Sequence, residues 1–403
     1  MPTLIRSLRT KLLVIVALIA VIIIGWLIFA KDQPGTTSSG DLPNTPSASL
    51  DGLVYVVRQS ATKTVEPHLL NLSTSSASTI SPTPLGPFSD AFPQSADIKG
   101  QKVLFTVDNQ LFLSQDGGRT YSHVYGDAGS GNVIVSAKLS QDATRIALSE
   151  YMPGVDGNSV KAMDLTGQNQ TQLFTTPSSG TAIIGWNDDS VVYRLDYASC
   201  DSAPLVCGRY DTNGIVKHNL ATGADDAVVP ANKYIMYSSD MKVSDDMTHL
   251  AFVGGAIKKI PQSNGETGYT SKAPYAVIDY NLSTMKSSTL ATIQPQPGDD
   301  KKPVDHYVTA GFFYKSNQVY YSADKNIYAA SNTTHPLYSA DSIVRRLLLA
   351  DNTQLIFTQE DETNGSNTYA RIYNLQTKDS RKLLDQTTMV NQTSMLISSV
   401  TTK

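Results

Sequence analysis

The sequence predicts an all-β fold, a ring of about seven four-stranded units, carried behind a single membrane-spanning helix. Three observations predict it. A turn-and-hairpin signature recurs from residue 51 onward, a cluster of β-branched and aromatic residues precedes each hairpin, and an uninterrupted apolar run lies near the amino terminus.

The apolar run, residues 12–30, reads LLVIVALIAVIIIGWLIFA. At about 1.5 Å per residue, a helix of this length crosses roughly the 30 Å hydrocarbon core. Trp26 lies near its far end, where an interfacial aromatic is favoured, and Arg6, Arg9 and Lys11 precede it. The positive-inside rule therefore keeps residues 1–11 as a short basic cytoplasmic tail and exports the rest of the chain. A cleaved signal peptide would have a shorter apolar region ending in small residues. Leu27-Ile28-Phe29-Ala30 is a poor cleavage site, and no cysteine follows the run to receive a lipid. The expected location is thus a single-pass membrane protein with an extracytoplasmic body, the bilayer being a partner through residues 12–30. Residues 31–50 form a Pro/Gly/Ser/Thr linker with a reach of roughly 25 Å, which holds the folded part near the membrane surface.

The hairpin signature is an Asn/Asp-Leu pair before a turn: Asn71-Leu72, Asp164-Leu165, Asn219-Leu220, Asn281-Leu282 and Asn374-Leu375. Ser114-Gln115-Asp116-Gly117 and Ser331-Asn332-Thr333-Thr334 fill the two gaps, so that units of roughly fifty residues result. Asn, Asp, Ser and Gly suit these places because they tolerate turn conformations and bond their own backbone. The strands before the hairpins include Val103-Leu104-Phe105, Ile146-Ala147-Leu148, Val191-Val192-Tyr193, Leu250-Ala251-Phe252, Val319-Tyr320-Tyr321 and Leu355-Ile356-Phe357, the composition a buried strand requires. Outside the anchor, no long stretch has helical spacing of its apolar residues.

Seven units of this length fit a propeller of four-stranded blades. The segments LSQDATRIAL, VSDDMTHLAF and AMDLTGQNQTQLF carry a resemblance to TolB-type and WD-repeat-like propellers over about residues 51–400. In those families a Ser-Pro-Asp-Gly-like turn precedes an Ile-Ala-Phe strand, and a Met-Asp-Leu-like hairpin follows. The proline and glycine of that turn are missing here, as is any Trp-Asp pair. The resemblance implies architecture and says almost nothing of function. The first unit starts directly at Leu53-Val54-Tyr55, and residues 394–400 remain over at the other end. The expectation is that this last strand completes the first blade and closes the body formed by residues 51–403, leaving no free edge.

The tight turns between first and second and between third and fourth strands would occupy one face. The other face would receive the long connections, residues 150–160, 196–214, 254–274 and 360–368, together with 82–100 and 294–307. Rigid scaffolds tend to carry binding residues on such loops. The candidate ligand-binding residues there are Tyr197, Arg209, Tyr210, Lys258, Lys259, Tyr269, His306 and Tyr307. Cys200 and Cys207 fall in one of these loops, and export would allow a local disulfide between them. The short loop it closes limits its stabilisation to about 2–3 kcal/mol.

Ser114-Gln115-Asp116-Gly117-Gly118-Arg119-Thr120-Tyr121 resembles the Asp-box found in sialidases and other propellers, with Tyr121 where Trp is usual. The resemblance implies a structural turn built on Ser114, Asp116, Gly118 and Tyr121. The six histidines form no metal-spaced pair, two cysteines make no metal quartet, and residues 361–367 lack the ligand spacing of a calcium loop. No nucleophile elbow, phosphate loop or dinucleotide fingerprint occurs. The expectation is no metal and no cofactor. Of the 403 residues 40% are hydrophobic and 17% charged, and the formal net charge is -4. With no basic run, this argues against nucleic acid. The sequence therefore favours a non-catalytic binding or scaffold module for protein, peptide or glycan. The rival is a propeller-type hydrolase or lyase acting on glycans or lactones, whose catalytic groups would converge at the central channel.

Overall fold

Residues 146–148 show how the body is built. Ile146 and Leu148 are buried against Leu104, Leu111 and Leu113 of the preceding repeat, and Ala147 against Ile183, Trp186 and Val191 of the following one. Side chains alternate between the two faces of a strand, so a stretch that is apolar at every position needs cover on both. The alternation recurs. Val103 and Phe105 meet one neighbour and Leu104 the other, Leu250 and Phe252 divide from Ala251 and Val253, and Val319 and Tyr321 divide from Tyr320. Each of these sheets is held between two others.

The computed structural model describes residues 52–59, 62–71, 79–80, 84–88, 93–127, 131–155, 157–176, 180–196, 214–230, 234–261, 267–293, 312–315, 318–350, 353–360, 368–384 and 394–400. The chain divides into two units, Met1–Ser49 and Leu50–Lys403, and all described residues belong to the second. The expected span at residues 12–30 and linker at 31–50 lie outside them.

Among the described residues the strands pair into seven four-stranded antiparallel sheets. The first sheet, read from the inside outward, is β28 (Ser394–Val400), β1 (Gly52–Gln59), β2 (Thr64–Asn71) and β3 (Thr79–Ile80). The second is β4 (Pro93–Lys99), β5 (Lys102–Val107), β6 (Gln110–Ser114) and β7 (Ser122–Tyr125). The third is β8 (Val133–Leu139), β9 (Arg145–Tyr151), β10 (Asn158–Asp164) and β11 (Thr171–Thr176). The fourth is β12 (Gly180–Trp186), β13 (Ser190–Asp196), β14 (Ile215–Asn219) and β15 (Asp225–Val229). The fifth is β16 (Tyr234–Val243), β17 (His249–Pro261), β18 (Thr267–Asn281) and β19 (Lys286–Ile293). The sixth is β20 (Phe312–Lys315), β21 (Gln318–Ala323), β22 (Asn326–Ala329) and β23 (Tyr338–Ser339). The seventh is β24 (Val344–Ala350), β25 (Gln354–Glu360), β26 (Thr368–Asn374) and β27 (Ser380–Leu384).

The inner strands β28, β4, β8, β12, β16, β20 and β24 each touch the next, and β24 touches β28 again. They surround the axis of an all-β propeller. β28 runs antiparallel to β1, with Val400 opposite Gly52 and Ser394 opposite Val57. The first sheet thus gains its inner strand from the far end of the chain, and β1 presents no free edge.

Three segments expected to be long connections contain strand. Residues 82–100 include the inner strand β4, residues 150–160 hold the end of β9 and the start of β10, and residues 254–274 are largely β17 and β18. The reason for the first is physical. An inner strand faces the axis, so Pro93-Gln94-Ser95-Ala96-Asp97-Ile98-Lys99 lacks the apolar cluster by which the second strands are recognised.

The tight turns are tied by their own side chains. Ser140 Oγ donates to Asp142 Oδ1 at 2.6 Å, Thr144 Oγ1 donates to Asp142 Oδ2 at 2.8 Å, and the Arg145 amide returns to Ser140 Oγ at 3.0 Å. Ser244, Asp246, Thr248 and the His249 amide repeat the pattern. Ala143 and Met247, at the fourth position of these turns, both adopt the left-handed region, with φ of 58° and 59°. A side chain costs about 1–2 kcal/mol there. Met247 compensates because it is buried against Gly185 and Val243, whereas Ala143 has no such contact in the buried clusters.

Ala143→Gly should therefore raise stability by about 0.5–1 kcal/mol, while Met247→Gly should lower it, both measured by denaturant unfolding. Deleting residues 394–400 should uncover the edge of β1 and produce concentration-dependent association, read by light scattering.

Candidate functional site

Strand direction separates two ends of the propeller. The turns from inner to second strand lie at one end, where Gly52 and Val400 also meet. The connections from second to third strand lie at the other. Of the candidate ligand residues at that second end, Tyr197, Arg209, Tyr210, His306 and Tyr307 fall outside the described residues, as do Cys200 and Cys207. Lys258, Lys259 and Tyr269 are described, and they sit on strands instead of a loop. Lys258 lies opposite Thr270 and Lys259 opposite Tyr269.

These three residues belong to an arm. β16 pairs with β17 only as far as Ala256, and β19 pairs with β18 only from Tyr275 onward. Among the described residues, 257–261 and 267–271 are thus paired only to each other and continue past the sheet as a two-stranded ribbon. A register shift between Gly255 and Ala256 marks where the ribbon leaves the blade. The Asn264-Gly265 pair between the two runs is the sequence signal for such a hairpin.

The opposite end carries a cluster that the sequence reasoning missed. Lys138 on β8 and Lys242 on β16 share one register position, each facing an alanine of the second strand, Ala147 and Ala251. Asp97 on β4 occupies the equivalent place, opposite Leu104, and Lys99 follows two residues later. Lys138 Nζ lies 3.5 Å from Asp97 Oδ1 and donates to the Ala96 carbonyl at 3.1 Å. Asp97 Oδ2 accepts the Leu139 amide at 2.9 Å, which ties β4 to β8.

Lys242 is exposed to solvent, although the protein atoms around it remove part of its hydration. Loss of bulk solvation pushes its pKa down, and Lys138 and Lys99 push it further, against Asp97 and Asp245. Lys99 is lowered by the same desolvation and by Lys138, with Asp97, Asp245 and Asp142 opposing. The signal was present in the sequence as Lys138-Leu139-Ser140-Gln141-Asp142 beside Lys242-Val243-Ser244-Asp245-Asp246. A repeat read for its turns alone does not show that three inner strands bring their lysines to one axis.

The described carboxylates at the turns and at one inter-blade junction are occupied by the scaffold. Hydrogen bonds from Ser140 and Thr144 hold Asp142 at about 2. Ser244 and Thr248 lower Asp246, and Thr166 with neighbouring amides lowers Asp164. At the Ser114 turn, Asp116 Oδ1 accepts from Ser114 Oγ at 2.7 Å and from the Thr120 amide at 2.9 Å, while Oδ2 accepts from Thr120 Oγ1 at 2.7 Å. Partial burial opposes ionisation there, but these bonds keep Asp116 below the ordinary value. Tyr121 packs edge-on against Phe105 at 5.3 Å, and Gly118, with φ of 90°, lets the turn approach Val54.

Glu150 is buried between the second and third sheets. It accepts from Tyr125 Oη at 3.1 Å and Asn132 Nδ2 at 3.2 Å, and Lys161 Nζ lies at 2.5 Å. Desolvation is the largest single effect on Lys161 and works against its charge, but the hydrogen bond and charge of Glu150, together with Tyr125, outweigh it and leave the ammonium above its usual pKa. Among the described residues, no three His, Cys, Asp or Glu side chains converge as a metal site.

No family model matches the chain, and no curated protein matches it in sequence. Solved structures do resemble it. TolB from Acinetobacter baumannii is 14% identical over 70% of this chain and 61% of its own, with a TM-score of 0.42. The β-propeller domain of the Trilobed protease from Pyrococcus furiosus is 12% identical over 83% and 95%, with a TM-score of 0.49. An acylaminoacyl peptidase is 14% identical over 85% of this chain and 52% of its own, with a TM-score of 0.50. The chain therefore spans less than two thirds of two of these proteins. At such identities the likeness is one of fold.

Asp142 is held at about 2 against an ordinary 3.8, so its contribution is complete above the higher value and disappears as pH falls through the lower one. Asp142→Asn should lower the Tm at neutral pH, and the gap should close at pH about 2. Glu150→Gln should cost about 3 kcal/mol in denaturant unfolding, because it leaves a partly buried Lys161 without its counter-charge.

Proposed function

We propose that this chain is a single-pass membrane protein whose extracytoplasmic, seven-bladed propeller is a non-catalytic binding or scaffold module for protein, peptide or glycan. The N-terminal tail would be cytoplasmic. The observation that carries the binding reading is the β17–β18 ribbon, which extends past its blade with Lys258, Lys259 and Tyr269 on it. A ribbon whose outer edges are not paired to β16 or β19 offers backbone donors and acceptors to an incoming segment. It stands at the end opposite Gly52, where the chain enters the propeller. A scaffold role also suits the carboxylates Asp116, Asp142, Asp164 and Asp246, whose lowered pKa values make them poor general acids.

The alternative of a propeller-type hydrolase or lyase has one observation in its favour. Lys242 on the inner strand β16 has its pKa lowered by lost hydration and by neighbouring lysines, and an amine of that kind can act as a base.

The test is a glycan and peptide array probed with the detergent-solubilised full chain. Saturable binding should be lost at least tenfold on replacing Lys258, Lys259 and Tyr269 together by alanine, with the unfolding midpoint unchanged. Product release from an arrayed glycan, abolished by Lys242→Met, would instead establish the enzyme reading.

A further inference from the structure

We propose that the β17–β18 ribbon captures an acidic, extended peptide, which adds as a further strand along residues 267–272 of β18. This rests on the binding-module reading and deepens it, by naming the partner as a protein segment of stated charge and conformation. The bound segment would continue the line that β19 leaves off at Ile293.

Backbone pairing decides which edge is offered. β19 accompanies β18 only between Asn281 and Tyr275, and among the described residues no strand pairs with the outer side of residues 267–272. Gln294-Pro295-Gln296-Pro297 follows β19 in the sequence, and proline brings no amide to a ladder. On the other side β16 reaches only Tyr234, opposite Ala256, but that edge of β17 ends in Pro261, which again lacks an amide. Residues 267–272 contain no proline, so each amide there that does not bond β17 is available to a partner strand. The register passes from Gly255 opposite Tyr275 to Ala256 opposite Lys272, which leaves Ala273 and Pro274 unopposed. Such a bulge bends a strand, and here it sets residues 267–272 apart from the part of β18 that β19 covers.

The charge of the ribbon selects the partner. Lys258, Lys259 and Lys272 lie on its paired strands, and neither residues 256–261 nor residues 267–272 include an Asp or Glu. Glu266, between the two strands, is the single acid from Ile257 to Lys272, on a chain whose formal net charge is -4. A second copy of the ribbon would set lysines against lysines, whereas a carboxylate-bearing strand is attracted. Strand addition draws affinity from main-chain bonds and specificity from alternate side chains. A segment with acids at alternate positions, and β-branched or aromatic residues between them, answers both the open edge and its charge.

The experiment uses the detergent-solubilised full chain and an array of octapeptides that alternate Glu or Asp with Val, Ile, Thr or Tyr. Two counterparts stand beside each peptide, one with Gln or Asn for the acids and one with Pro for the residues between them. Acidic peptides should bind saturably, and either counterpart should bind at least tenfold more weakly, since one lacks the charge and the other the ladder. Lys258→Gln together with Lys259→Gln should weaken the same peptides at least tenfold without moving the unfolding midpoint, and Lys272→Gln serves as the second variant. Hydrogen exchange should slow at residues 267–272 when an acidic peptide binds. Equal binding of the acidic peptides and either counterpart overturns the proposal, as does equal binding by wild type and both variants. Glycan binding that is lost with the ribbon's triple alanine replacement, without any peptide binding, overturns this partner and leaves the binding-module reading standing. Absence of every saturable ligand removes both.

Discussion

No sheet in this body can cover its own two faces. Every second strand that is apolar at consecutive positions needs a neighbour on each side, and the neighbours supply it in sequence around the axis. Burial between successive sheets is therefore the interaction on which the rest depends. It forces a closed arrangement, because an open stack would leave an apolar face at each end. The antiparallel pairing of β28 with β1 joins the two ends of the repeat by backbone hydrogen bonds.

Closure has a consequence for polar residues. Once apolar side chains have been buried between sheets, the polar side chains of the inner strands are left to bind the backbone of the neighbouring inner strand. There Asp97 ties β4 to the Leu139 amide, Ser136 Oγ accepts the Ile183 amide at 2.8 Å, and Trp186 Nε1 donates to the Lys138 carbonyl at 3.0 Å. Each links an inner strand to the next by a side-chain bond to the backbone. The same geometry sets Lys138 of β8 beside Asp97 of β4.

The two ends of the propeller are built by different means. Short polar turns at one end use Ser, Asp and Thr to satisfy their own backbone, which leaves those aspartates ionised and engaged. At the other end the chain is free to extend, and β17 and β18 do so beyond the partners that flank them. Residues 254–274 read as a loop in the sequence because Lys258, Lys259 and the glycines interrupt the apolar signature.

Local chemistry by itself determined the strands with buried second positions, the Asn-Leu and Ser-x-Asp turns, and the repeat that makes an all-β propeller. These are short-range features, and they rest on alternation and on side-chain-to-backbone bonding within a few residues. The inner strand β4 was hidden within an expected connection, since an inner strand at the axis needs no run of Val, Ile or Phe. The approach of Lys138 to Asp97 showed in the sequence only as a lysine before a Ser-x-Asp turn, because residues on separate sheets become neighbours only when those sheets close around a common axis. The tertiary structure decided both, through burial between sheets and the ring that such burial demands.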